Sequence, residues 1–187
     1  MSEVYQLKIT LQRSKPPIWR RVTVDSAITL GDLHDIIQIV MGWTNSHLHE
    51  FYDDMRQNYS MDGMDEYGGC DDGKSENSVQ LCELLTDEKQ KLFYVYDFGD
   101  SWDHVVLLEK IVESQEEKPT PRCLKGKNAC PPEDCGGLYG FYQMQEVLKD
   151  PDHPQYEEMM DWLGGEFDPA EFDIDFVNAM LTNEDAC

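Results

Sequence analysis

Tyr5-Gln6-Leu7-Lys8-Ile9-Thr10-Leu11 alternates apolar and polar residues with a period of two, the pattern of a strand buried on one face and solvated on the other. Ile18-Trp19-Arg20-Arg21-Val22-Thr23-Val24 is again rich in strand-forming side chains, and Pro16-Pro17 sits in the connection, where no ladder donor is needed. These two runs predict a hairpin. Thr29 then precedes Leu33, Ile36, Ile37, Val40 and Met41, a helical stripe with Asp32 in its first turn and Gly42 ready to end it. The opening is therefore β-β-α, with the helix laid on the sheet.

Working outward, residues 47–52 (His47-Leu48-His49-Glu50-Phe51-Tyr52) read as a third strand with both histidines on one face. Residues 53–77 hold eight acids and two bases without a sustained period, so an acidic, flexible insertion is expected there. Val79 to Leu85 should begin extended and close as a helical turn. Leu92 to Tyr96 and Trp102 to Ile111 are strands joined by the turn Asp97-Phe98-Gly99-Asp100-Ser101. Beyond Glu113 the chain is polar, then cysteine- and proline-rich from Pro119 to Gly137, with short helices over 140–149, 156–163 and from Asp168-Pro169 onward. The fold class is α+β: one domain over 1–187, a small mixed or antiparallel sheet, helices on one side and a closing set of short helices. The last residues, including Cys187, should fray.

Fifteen Lys and Arg against thirty-eight Asp and Glu leave a net charge of −23 on 187 residues. Residues 1–24 carry +4, and from Asp150 onward there are twelve acids and no Lys or Arg. A field of that sign repels a phosphate backbone, so nucleic acid is not an expected partner. Leu92-Phe93-Tyr94-Val95-Tyr96, the longest apolar run, is far below the roughly 18 residues needed to span a bilayer, so no membrane is expected either. Met1-Ser2-Glu3-Val4-Tyr5 carries an acid and no apolar h-region, so no secretory leader is expected, and the six cysteines are read as thiols or metal ligands of a cytoplasmic protein. Asp97-Phe98-Gly99 spells a kinase tripeptide without the other kinase motifs, and the acidic insertion has no EF-hand register.

Two constellations remain. Cys123, Cys130 and Cys135 are soft ligands suited to zinc, with His49, or else His47 or His104, as a fourth donor. Asp97, Asp100, Trp102 and His104, with His47 and His49, form a polar and aromatic cluster able to bind a ligand or move protons. The competing reading has the aspartates capping turn amides and the rings satisfying one another at the core edge. Trp19 with Arg20 and Arg21 reads either as a partner anchor or as a hairpin paired with the molecule's own acids.

Several stretches in fixed order together resemble the plasmid pRiA4b ORF-3-like family. They are Pro16-Pro17-Ile18-Trp19-Arg20-Arg21; His47-Leu48-His49-Glu50-Phe51; Tyr94 through His104; Cys130-Pro131-Pro132-Glu133-Asp134-Cys135-Gly136-Gly137; and Phe167-Asp168-Pro169. The resemblance implies a compact α+β domain of unassigned activity. Some relatives carry a resolvase-like label, but the first strand here lacks the Arg-x-Ser-Thr context of a serine resolvase. The leading expectation is a cytosolic, non-enzymatic protein-interaction module; the alternative is a metal-dependent, zinc-using enzyme of hydrolytic type.

Overall fold

The computed structural model describes residues 2–61 and 73–182. Its eight strands are β1 (Ser2–Leu11), β2 (Trp19–Asp25), β3 (His49–Tyr52), β4 (Asn58–Ser60), β5 (Lys74–Ser75), β6 (Lys91–Tyr96), β7 (Trp102–Ser114) and β8 (Arg122–Lys127). Its α-helices are α1 (Leu30–Met41), α2 (Leu81–Leu84), α3 (Gly137–Leu148), α4 (Tyr156–Leu163) and α5 (Ile174–Leu181). The strands form one mixed sheet in the order β5-β4-β3-β6-β7-β1-β2-β8, and every pair is antiparallel except β4 with β5. The fold is α+β, as the alternation and helical stripe predict.

The opening β-β-α forms as its patterning requires. Tyr5, Leu7, Ile9 and Leu11 point into the core from β1, and Val22 and Val24 from β2. α1 lies over that face, capped at its start by a reciprocal Thr29–Asp32 pair and ended by Gly42 at φ 90°. Its buried stripe also contains His34 and Gln38, which hydrogen-bond the Tyr94 hydroxyl at 2.8 and 3.0 Å. The same alternation places Arg20 inward. Its Nε donates to Val40 O at 2.7 Å, and its guanidinium caps the carbonyls of Trp19 and Lys127 and stacks 4.0 Å from the centre of the Phe172 ring. Trp19 and Arg21 face the other side of the sheet, where Arg21 makes a forked ion pair with Glu109. The hairpin's cations are thus committed within the molecule.

Three features depart from expectation. The third strand begins at His49, leaving His47 in the preceding loop. The flanks of the acidic stretch carry β4 and β5 and a 3-10 turn, Glu76–Ser78, whose Glu76 is buried; the intervening residues 62–72, and residues 183–187 where fraying is expected, lie outside the described residues. The cysteine-bearing connection contributes β8 to the sheet edge beside β2. Among the described residues no helix is long and apolar enough to cross a membrane.

Candidate functional site

Three loops meet at one end of the sheet: residues 42–48 after α1, the 97–101 turn between β6 and β7, and 131–137 before α3. Asp97 organises the turn. Its N–H donates to Leu48 O at 2.9 Å, and its Oδ1 accepts from the Gly99 and Asp100 amides at 2.9 and 3.3 Å. Asp100 Oδ2 in turn accepts from Gly136 N at 3.1 Å, tying the turn to the loop that leads into α3. Both aspartates therefore cap amides, which an aspartate in a turn does readily. Trp43 Nε1 donates to Pro131 O at 3.0 Å. Glu133 accepts from the Thr44 amide and hydroxyl and from the Tyr96 hydroxyl. Burial alone would raise the Glu133 carboxyl; those hydrogen bonds outweigh it and hold it below its ordinary value.

Glycines allow the close approach. A Cβ on Gly137 (φ 66°) would come within 2.8 Å of Asp100 O, and one on Gly140 within 1.8 Å of Cys135 O. The second contact is with rigid backbone. Gly140→Ala should cost at least about 2 kcal/mol, lowering Tm by roughly 4–8 °C in a chain of this size. Gly165→Ala, with nothing within 4 Å, should leave Tm unchanged. Equal melting temperatures for the two variants would contradict the tight packing.

At the centre of this junction His47, Asp97 and Asp134 bring one ligand atom each within 4.8 Å of one another. His47 Nε2 lies 3.2 Å from Asp134 Oδ1 and 3.7 Å from Asp97 Oδ2. It is shielded from solvent, yet it has no hydrogen-bond partner among the described residues: Asp97 Oδ2 stands too far away, and Asp134 Oδ1 is within reach but makes no hydrogen bond. Its ring is held edge-on against Tyr96, 5.8 Å between centroids. Asp97 (φ 56°) and Asp134 (φ 58°) both adopt left-handed backbone, as do Asn45 and Ser101 nearby. Asp and Asn are the non-glycine residues that enter this region most readily, so the loops hold it at little cost.

The other residues singled out in the sequence lie elsewhere. Trp102 and His104 are fully buried beneath the junction in an aromatic layer: Trp43 packs on Tyr96, Trp102 and His104, and Tyr94 on His104. Neither His104 nitrogen, nor Trp102 Nε1, has a hydrogen-bond partner among the described residues. Burial pushes the His104 imidazole down to about 3, against weaker opposing effects of the Trp102 and Tyr94 backbone. His49 stacks on His34, centroids 3.4 Å apart and rings 5° from parallel, and its Nε2 pairs with Glu76 at 2.8 Å. Burial and the His49 charge hold His34 down to about 4. These are core groups, removed from any ligand reaching the loops.

The cysteine grouping does not form. Among the described residues His47, Asp97 and Asp134 are the only set of three such donors within 4.8 Å, so Cys123, Cys130, Cys135 and His49 are not joint ligands. Cys123 is buried in β8, its amide held by Asn178 Oδ1 at 2.8 Å. Burial pushes the Cys130 and Cys135 thiols up to about 12. Asp134 was the donor hidden in the sequence, as a spacer inside the Cys130-to-Cys135 motif.

The chain is similar in sequence and in fold to known proteins. The chain is 36% identical over 181 residues to uncharacterized protein y4hQ of Sinorhizobium fredii (strain NBRC 101917 / NGR234), an alignment spanning 95% of this chain and 90% of that protein. It is 38% identical to the crystal structure of the protein of unknown function MM3350 from Methanosarcina mazei Go1, with a TM-score of 0.81 over 94% of this chain and 97% of the other. Residues 3–176 match the family described as plasmid pRiA4b ORF-3-like protein. With the motif-bearing loops and nearly all of the sheet inside that span, the chain belongs to the plasmid pRiA4b ORF-3-like family.

Proposed function

We propose that His47, Asp97 and Asp134 bind a divalent first-row cation, zinc foremost, and that the protein is a metal-dependent hydrolase. The observation that carries this reading is the unpartnered His47 Nε2 set between two carboxylate oxygens. Ligand atoms about 2.1 Å from a tetrahedral ion stand roughly 3.4 Å apart, and the 3.2 and 3.7 Å separations bracket that value. One imidazole and two carboxylates form a borderline-to-hard donor set, suited to zinc or manganese rather than to soft ions. Three protein ligands leave a position open to water, and Asp134 is exposed on the solvent side. A bound cation would bring that water's pKa toward 7, making hydroxide available at neutral pH, and would polarise a substrate carbonyl. The Asp97 turn and the Glu133–Thr44–Tyr96 hydrogen bonds fix the surrounding loops, the role that outer groups play around metal ligands.

Cobalt(II) titration followed by visible absorbance, with metal content measured after dialysis against zinc and manganese, tests the centre. One equivalent should bind. His47→Gln and Asp134→Asn should each weaken binding at least tenfold while leaving Tm in EDTA unchanged, and Asp150→Asn should bind as wild type. Absence of stoichiometric binding, or equal affinity in all variants, would overturn the reading and return the domain to a non-catalytic interaction role.

A further inference from the structure

Asp134 also belongs to a second feature. A cleft of 290 Å³ opens between α3 and α4, and its lining runs from Asp134 and Cys135 to Met144, Met159 and Trp162. Its volume sits at the low end of the roughly 300–1,000 Å³ of small-molecule sites, so it holds one small ligand or one side chain of a larger one. Met144 is buried at its floor, while Trp162 remains 48% exposed at its rim. The polar lining is Gln143, Gln155, Glu158 and Asp134, with no Lys or Arg among the described lining residues.

Resting on the metal-centre reading, we infer that this cleft is the side-chain subsite of the hydrolase, and that its substrate is a non-anionic carboxamide carrying an apolar side chain. Asp134 is common to both features, so the cleft adjoins the proposed cation site, and the substituent of a carbonyl held there would have Met159 and Trp162 within the adjoining lining. Methionine and tryptophan present adaptable apolar surface with no requirement for a charged partner. Two carboxylates and no cation line the route, and every residue from Asp150 onward, α4 included, is free of Lys and Arg. A phosphate or carboxylate substituent would enter against that field, whereas an amide would not. The reaction adds water across the amide: its oxygen bonds to the carbonyl carbon, the carbon–nitrogen bond breaks, and the proton passes to the departing amine. No redox partner is consumed.

Hydroxamates provide the probe, since they reproduce an acyl group bound at a metal. With cobalt-loaded protein, leucine hydroxamate should perturb the visible spectrum at a concentration at least tenfold lower than glycine hydroxamate does, the difference expected from burying one aliphatic side chain when both probes carry the same amine. Phenylphosphonate should bind more weakly than leucine hydroxamate. Trp162→Ala and Met159→Ser should each retain cobalt and reduce the leucine preference. Equal affinity for the two hydroxamates, tightest binding of the phosphonate, or an undiminished preference in both variants would overturn the subsite while leaving the metal centre standing. Failure to bind cobalt at all would overturn both.

Discussion

Arg20→Ala should lower the unfolding free energy by about 3–5 kcal/mol, and with it the melting temperature by roughly 6–20 °C. Arg20 is 2% exposed, and among the described residues no carboxylate pairs with it. Its partners are the carbonyls of Val40, Trp19 and Lys127, and Val40 lies in the last turn of α1. The guanidinium thus ends a helix, joins β2 to the end of β8 and covers the Phe172 ring. Burial lowers its pKa, but from so high a value that it stays charged. Alanine would orphan those buried acceptors and leave a cavity at the meeting point of sheet, helix and C-terminal segment. Arg20→Met retains the aliphatic stem and should recover part of the loss. A thermal melt of Arg20→Ala within about 2 °C of wild type would refute this account of the core.

Acidification should cost nearly as much. His34 is held down to about 4 and His104 to about 3, while in the unfolded chain both titrate near 6.5. Below pH 6.5 the unfolded state therefore takes up two protons that the folded state refuses. The stability this represents is present in full above pH 6.5 and is lost as the pH falls toward 4, amounting to about 5 kcal/mol between pH 6.5 and 4.5. Glu109, lowered chiefly by its hydrogen bond from Arg21, and Glu133 add to the loss at the acidic end. Asp35, raised by burial beside Asp32 and Glu76, works in the opposite sense and offsets a part. Urea unfolding at pH 7, 5.5 and 4.5 measures the slope. His104→Phe should remove close to half of it, and an unchanged slope in that variant would dismiss the neutral buried imidazole.

The legible parts of the molecule were those with a long period. β1, β2 and α1 have alternation or a stripe sustained over seven or more residues, and the structure reproduces them. Arg20 was readable by parity, since it shares the inward register of Val22 and Val24, but its charge pointed to a partner or to an acid of the molecule, not to buried carbonyls. β8 escaped because Arg122-Cys123-Leu124-Lys125-Gly126-Lys127 buries only Cys123 and carries the lysines that edge strands tolerate. β4 and β5, three and two residues long, are below what periodicity can resolve. At the site, the turn chemistry of Asp97 and Asp100 was visible in the Asp-Phe-Gly-Asp string. His47 was placed on the same strand face as His49, yet a loop separates their fates. Asp134 gave no signal, because a donor made by loop convergence has no spacing to its partners. The cysteines had spacing without convergence. His34 was detectable as a polar residue interrupting the apolar face of α1, four positions before Gln38.

The pairing of β1 with β7 bears on how the molecule comes into being. Ser2 stands opposite Ser114 and Leu11 opposite His104, so the two longest strands are neighbours in space but about a hundred residues apart along the chain. During biosynthesis the β1–β2 hairpin and α1 leave the ribosome long before β7 exists to zip against them. Pairings of such separation are slow to form, and the unzipped edge of β1 is open to misassociation in the meantime. The strand carries Lys8, the kind of charged side chain by which an open strand edge discourages pairing with another chain.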